Sequence, residues 1–186
     1  MSTVANFTLE QYERMVEAGA FDGHLRQHVE FIRGEIREMN PIGTFHAQTV
    51  GDLTDWSYDV IPRKEIAVRV QTTLRIPLHN SAPEPDIVWV RRRSYAQKHP
   101  EPSDVLLLIE VAESSLADDR GEKLELYALC GIQDYWIANL IDRTFEVYRK
   151  PVRTTYSYMQ TFSAGDILSP VAVPVARLAI DNIFPN

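Results

Sequence analysis

Hydrophobic positions change period several times along this chain, and each change marks a predicted element. In "TLEQYERMVEAGAF" Leu9, Tyr12 and Met15 recur at helical spacing, with Thr8 as N-cap, Gln11 three positions on and Gly19 near the end. This predicts a short helix. "HVEFIRGEIREMNP" sets Val29, Phe31 and Arg33 on one parity before Gly34, with Ile36 and Met39 after it, which predicts two strands about a tight turn. "HAQTVGDLTDWSYDVI" carries Val50, Leu53, Trp56 or Ser57, and Val60 at three-and-four spacing and stops before Pro62. It reads as the first long helix.

Extended segments follow. "AVRVQTTLRIPL" alternates Val68, Val70 and Thr72 against Arg69 and Gln71, whereas "DIVWV" and "DVLLLIEVA" are almost wholly apolar, as strands covered on both faces are. The centre of the sheet belongs there. "SLADDRGEKLELYALCG" pairs Ser115 with Asp118 in a capping-box pattern and ends at Gly131, predicting a second long helix. "DYWIANLIDRTFEVYRK" reads as two β-rich halves separated by "LIDRT", and "YSYMQTFSAGDILSPVAVPVARLAI" as short strands or loops ending in a helical turn. No repeat, low-complexity tract or linker interrupts the pattern.

Composition narrows the classes. The 186 residues suit one domain that buries roughly 70 % of the surface of its unfolded chain. With 45 % hydrophobic and 24 % charged residues, folding is expected. Cys130 is the sole cysteine and the first twenty residues lack a basic start and an apolar signal core, so a reducing, cytoplasmic setting is expected. No apolar run approaches the ~20 residues of a membrane span. The net charge of −7 argues against a duplex grip built on an overall basic face. Clustered cations can still engage phosphates, and a divalent metal can offset the carboxylates around it.

Two acids stand out against apolar strands. Asp86 starts the "DIVWV" strand and Glu110 lies near the end of "VLLLIEVA", and neighbouring strands run ~4.8 Å apart, so the two side chains can share a cation. Mg²⁺ or Mn²⁺ suits one or two carboxylates, waters and phosphate oxygens. Asp86, following Pro85, also fits a turn residue at a strand start; Glu110 is harder to place in solvent. Asp119, Lys123 and Tyr127 share one helical face, so Lys123 either reaches the metal site or forms an ordinary i,i+4 ion pair with Asp119.

Other candidates have plainer readings beside functional ones. His24 and His28 are four apart, as zinc ligands on a helix can be, but without a third ligand an exposed pair is favoured. Arg91, Arg92 and Arg93 with Ser94, Lys98 and His99 form the one dense basic patch, a grip for a nucleic-acid backbone or a solvated loop. Trp56, Trp89 and Trp136 fit core packing, and Cys130 a small buried apolar group.

Pro85-Asp86, then Glu110-Val111-Ala112, then Lys123 resembles the PD-(D/E)XK nuclease superfamily, with the lysine moved to the next helix. "VEFIRGEIREMNPIGTFH", "PEPDIVWV", "LLLIEVAESS", "DDRGEKLELYALCGIQDYWI" and "TFEVYR" are similar to the Uma-two family of restriction endonuclease-like proteins, from about Val29 to Arg149. The resemblance implies an α/β fold with a restriction endonuclease-like core, a central mixed sheet flanked by helices. It would comprise an N-terminal helix and hairpin over 1–45, a nuclease-like core over 46–150 and C-terminal strands over 151–186. It implies a metal held by Asp86, Glu110 and the Val111 carbonyl, Lys123 assisting, and hydrolysis of phosphodiesters, in DNA foremost and in RNA as the alternative. Glu30 and His46 match recurrent family positions and become candidate cleft residues. Two departures are visible: Ala112 occupies the superfamily's lysine position, and "EVAESS" replaces the "EVLSPS" expected of the family. A metal-free binding module for nucleic acid or protein, and a structural subunit whose acids bridge a homodimer, are the rival readings; dimerisation itself is fold-level analogy.

Overall fold

A computed structural model describes residues 5–22 and 29–184. The first helix, α1 (Leu9–Glu17), is closed by the expected capping box: Gln11 N donates to Thr8 Oγ1 at 3.2 Å and Thr8 N to Gln11 Oε1 at 2.8 Å. Leu9 and Tyr12 are buried. Strands β1 (Val29–Ile32) and β2 (Glu35–Glu38) form the expected hairpin, Arg33 and Gly34 both taking positive φ (50° and 90°) at its two-residue turn. Helix α2 (Thr44–Val60) begins two residues before His46, on Gly43, and ends as expected ahead of Pro62.

A six-stranded mixed sheet lies at the centre, ordered β3 (Ile66–Val70), β4 (Ile87–Arg91), β5 (Val105–Ala112), β6 (Asp134–Asn139), β7 (Thr144–Val152), β8 (Thr155–Phe162). Neighbours pair antiparallel except β5 and β6, which are parallel and need a crossover. That crossover was expected to be one long helix but is two: α3 (Leu116–Arg120) and α4 (Glu122–Leu129). Gly121, at φ −105° and ψ −105°, lies outside the helical region where the two meet, and only a residue without a Cβ suits this bend, since a Cβ there would lie 2.9 Å from the Ala117 carbonyl oxygen. The Ser115 capping box does not form either; Ser115 Oγ donates to the Asp119 carboxylate at 2.7 Å.

Side-chain parity divides the core. Leu107, Ile109 and Val111 of β5, with Ile87 and Trp89 of β4, pack against α2 and the C-terminal segment. Leu108 and Ala112, with Val88 and Val90, pack against α4 on the other face. Trp56 stacks on Trp89 with centroids 5.3 Å apart, and Trp136 joins the same layer, so the tryptophans are core residues. Burying the Trp89 indole N–H is possible because it donates to Ser57 Oγ at 2.9 Å, while that hydroxyl donates to the Leu53 carbonyl at 2.6 Å.

Two expectations about strand length fail. The alternation in "AVRVQTTLRIPL" suggested an extended segment continuing past Thr72, but β3 stops at Val70 because Gln71 turns to φ 47°. The chain then leaves the sheet, folds back through bridges at Ile76–Ser81 and Phe31–Ala82, and re-enters at β4. Conversely, β8 is a full eight-residue strand where short pieces were expected. β9 (Ile167–Leu168) and β10 (Leu178–Ala179) are two residues each and lead into a single 3-10 turn over Ile180–Asn182, as the pattern suggested.

Candidate active site

Asp86 precedes Ile87, whose partner across β4 and β5 is Ile109, so Asp86 falls opposite Glu110. Both share the parity of Val88 and Leu108 and project towards α4 rather than α2. Their backbones lock the approach: Val111 N donates to Asp86 Oδ2 at 2.8 Å, and Asp86 N donates to Glu110 Oε2 at 3.3 Å. Gln71, turned inward by its left-handed backbone, donates its side-chain N–H to Asp86 Oδ1 at 3.1 Å. No sequence signal marked Gln71, because it sat inside an apparently continuous alternation.

Lys123 enters from the first turn of α4. Its ammonium lies 3.3 Å from Glu110 Oε1, 3.3 Å from Glu30 Oε2 and 3.6 Å from Asp119 Oδ1. The i,i+4 ion pair and the approach to Glu110 are therefore both present. Ala112, fully buried beneath α4, has the same parity as Glu110, and the ammonium reaches that acid from the helix instead. Tyr127, one turn beyond Lys123, donates its hydroxyl to Glu110 Oε1 at 2.7 Å. Tyr135 fixes the adjoining helix by donating to the Asp119 carbonyl at 2.9 Å.

Burial sets the electrostatics. Glu110 is only 3 % exposed, and its carboxyl is pushed up to about 8, first by loss of solvent, with Lys123 and Tyr127 pulling it down and Asp119 and Asp86 pushing it up. Asp119 is raised for the same leading reason. Lys123 moves the opposite way to a lone buried amine: burial disfavours its charge, but Glu110, Glu30 and Asp119 outweigh that and hold it protonated. His46, at the start of α2, places Nε2 3.2 Å from Asp86 Oδ2. Burial works against its charge, and the Asp86 carboxylate, with the Val111 carbonyl and Glu113 nearby, raises its pKa regardless.

Glu30, His46, Gln71, Asp86, Glu110 and Lys123 line a cleft of about 170 Å³, closed by the Glu38–Gly43 stretch and by Glu84, Glu113 and Ser114, which carry no distinguishing signal in the sequence. Among the described residues no group of three or more His, Cys, Asp or Glu side chains is arranged as a metal-binding cluster. Asp86 and Glu110 are nonetheless a fitting pair for a hard cation, since Mg²⁺ takes one or two carboxylates and completes its shell with water and phosphate. The carboxyl groups of Glu30, Asp86, Glu110 and Asp119 outnumber the cations beside them, an excess of acidic groups that a divalent ion would offset.

The Uma2 family, described as "Putative restriction endonuclease", matches residues 9–181. The chain belongs to the Uma2 family. A solved structure from Anabaena variabilis, described as "a putative nuclease belonging to DUF820", is similar with a TM-score of 0.74 and 16 % identity, covering 96 % of this chain and 97 % of that one. At that identity the likeness establishes the shared fold. None of the curated proteins matches.

The remaining candidates are placed differently in this Uma2 chain. The arginine loop follows β4, but Asp86 lies at the strand's start and Arg91 at its end, about 17 Å away at roughly 3.3 Å per residue. Arg91, Arg92 and Arg93 are exposed, and Arg93 is tied to Asp104 at 2.5 Å. Cys130 is half-buried, and loss of solvent pushes its thiol up to about 12, so it is an unreactive packing group. His24 and His28 lie outside the described residues. No helix among the described residues is long and apolar enough to cross a membrane.

Proposed function

We propose that this chain is a metal-dependent endonuclease that hydrolyses phosphodiester bonds, with DNA as its substrate class. The observation that supports this most is the charge imbalance: Glu30, Asp86, Glu110 and Asp119 converge on one ammonium and one imidazole. Asp86, Glu110 and the Val111 carbonyl are the groups to hold Mg²⁺ or Mn²⁺. Such an ion, when bound, supplies Lewis-acid polarisation of a phosphoryl oxygen and a more acidic water.

The chain's own residues have separable tasks. Lys123, kept protonated by its three carboxylate neighbours, serves as a positioned donor to charge developing on the phosphate rather than as a base. Tyr127 and the Asp86 N–H fix the Glu110 carboxylate, and Gln71 and the Val111 N–H fix that of Asp86, so neither acid can rotate away. Glu30 and His46 complete the cleft, Glu30 as a further metal ligand or a base and His46 as a base or a phosphate contact.

Cleavage of plasmid, single-stranded DNA and RNA with Mg²⁺ or Mn²⁺ tests the reading. Activity should require the ion and fall at least ~100-fold in Lys123→Ala and Asp86→Asn, with circular dichroism confirming folded variants. Absence of cleavage on every substrate would overturn it in favour of a binding module built on the same fold.

A further inference from the structure

Neither acid of the pair can offer every oxygen to an ion, because each already accepts hydrogen bonds. Asp86 Oδ2 takes the Val111 N–H at 2.8 Å and His46 Nε2 at 3.2 Å, which occupies both of its lone pairs. Glu110 Oε1 takes the Tyr127 hydroxyl at 2.7 Å and the Lys123 ammonium at 3.3 Å, with the same result. Among the described residues Asp86 Oδ1 has one donor, Gln71 Nε2 at 3.1 Å, and Glu110 Oε2 has one, the Asp86 N–H at 3.3 Å. Each of these two oxygens keeps a lone pair open, and they are the ones left to meet a cation.

Gln71 decides how Asp86 Oδ1 is held. It grips Asp86 twice: its backbone N–H donates to the Asp86 carbonyl at 3.0 Å, one step beyond the pairing of Val70 with Ile87, and its side chain donates to the carboxylate. Its backbone lies at φ 47°, in the left-handed region that glycine enters freely and that asparagine, aspartate and histidine enter more readily than other residues. Glycine would relax this backbone but has no amide to reach Asp86. The side chain therefore accounts for glutamine at this position. Gln71 also lines the cleft, and strained backbone of this kind gathers at functional sites.

We propose that Gln71 is a positioning residue: its amide holds the Asp86 carboxylate so that Oδ1, together with Glu110 Oε2, is presented to Mg²⁺ or Mn²⁺, and its left-handed backbone persists for that reason although it lowers stability. This rests on the metal-dependent nuclease reading above. Gln71 acts through Asp86 and touches no reacting atom. Hydrogen bonds that orient a ligating carboxylate matter to the ion itself, and losing one weakens metal binding by about 10- to 100-fold.

The test compares wild type with Gln71→Met, which keeps the side-chain length and the left-handed strain but removes the donor, and Gln71→Gly, which removes donor and strain together. Mn²⁺ affinity is read by calorimetry, stability by thermal melting, and cleavage on plasmid DNA. Both variants should bind Mn²⁺ about tenfold more weakly than wild type, while Gln71→Gly melts above Gln71→Met. Affinity then follows the amide and stability follows the backbone. Wild-type affinity in both folded variants overturns the positioning role and leaves the nuclease reading in place. Affinity that instead follows melting temperature, recovered in Gln71→Gly and lost in Gln71→Met, also overturns it, because the backbone and not the amide would then shape the site. Wild type that binds Mn²⁺ without cleaving DNA, while both variants lose affinity, sinks the nuclease reading and leaves Gln71 as the residue that positions Asp86.

Discussion

Replacing Glu110 with Gln should change how stability depends on pH more than it changes stability at any one pH. The Glu110 carboxyl has an ordinary value of 4.5 and is pushed up to about 8 in the fold, chiefly by burial. Between those values the folded chain holds a proton that the unfolded chain releases, so wild-type stability falls as pH rises through this window. At about 1.4 kcal/mol per pKa unit, the loss attributable to this acid is on the order of 5 kcal/mol by pH 8. His46, whose folded pKa is also raised, contributes in the same direction: its stabilisation is complete below its unfolded value and is lost as pH passes its folded one. Asp119 and Asp134, raised by burial, act in the same direction, and Glu110→Gln keeps the side-chain volume while removing the Glu110 contribution. Urea unfolding in EDTA between pH 5 and 9 should show a steep decline for wild type and a shallower one for the variant, left by His46 and by the buried Asp119 and Asp134, whose carboxyls are also raised. Parallel declines would refute the reasoning, because Glu110 would then not be the group holding the proton.

Gly121→Ala forces a methyl to within 2.9 Å of the Ala117 carbonyl oxygen, so thermal unfolding should show a loss of about 1–3 kcal/mol, accompanied by weaker cleavage as the first turn of α4 moves Lys123. An unshifted melting temperature would remove the account of the broken helix. Ser57→Ala strands the buried Trp89 indole N–H and should cost about 1–3 kcal/mol in denaturant unfolding, with Trp fluorescence altered in the native state; a neutral substitution would mean that the indole finds another acceptor.

The parity of the central strands was legible in the sequence. "DIVWV" and "VLLLIEVA" are covered on both faces, so their apolar runs announced a sheet centre, and Glu110 was conspicuous because nothing on either face excuses a carboxylate. The pairing of Asp86 with Glu110 followed from two strand positions and held. Local chemistry that depends on non-local neighbours was not legible. Gln71 alternates properly with Val70 and Thr72, and only its left-handed backbone, fixed by contact with Asp86, takes it out of the strand. The amphipathic pattern across Gly121 suits one helix as well as two, and the close approach of the Ala117 carbonyl that excludes a Cβ at the bend leaves no mark in that pattern. The arginine patch lies at the far end of β4 from Asp86, because a strand of five residues carries the chain from one end of the sheet to the other.

Calorimetric titration of Mg²⁺ and Mn²⁺ into wild type, Asp86→Ala and Glu110→Ala tests the central claim most directly. Wild type should bind one ion in the cleft, releasing protons at pH 7 as Glu110 ionises, and both variants should lose that binding with their folds intact. An ion that binds all three proteins alike, or none of them, would contradict the account.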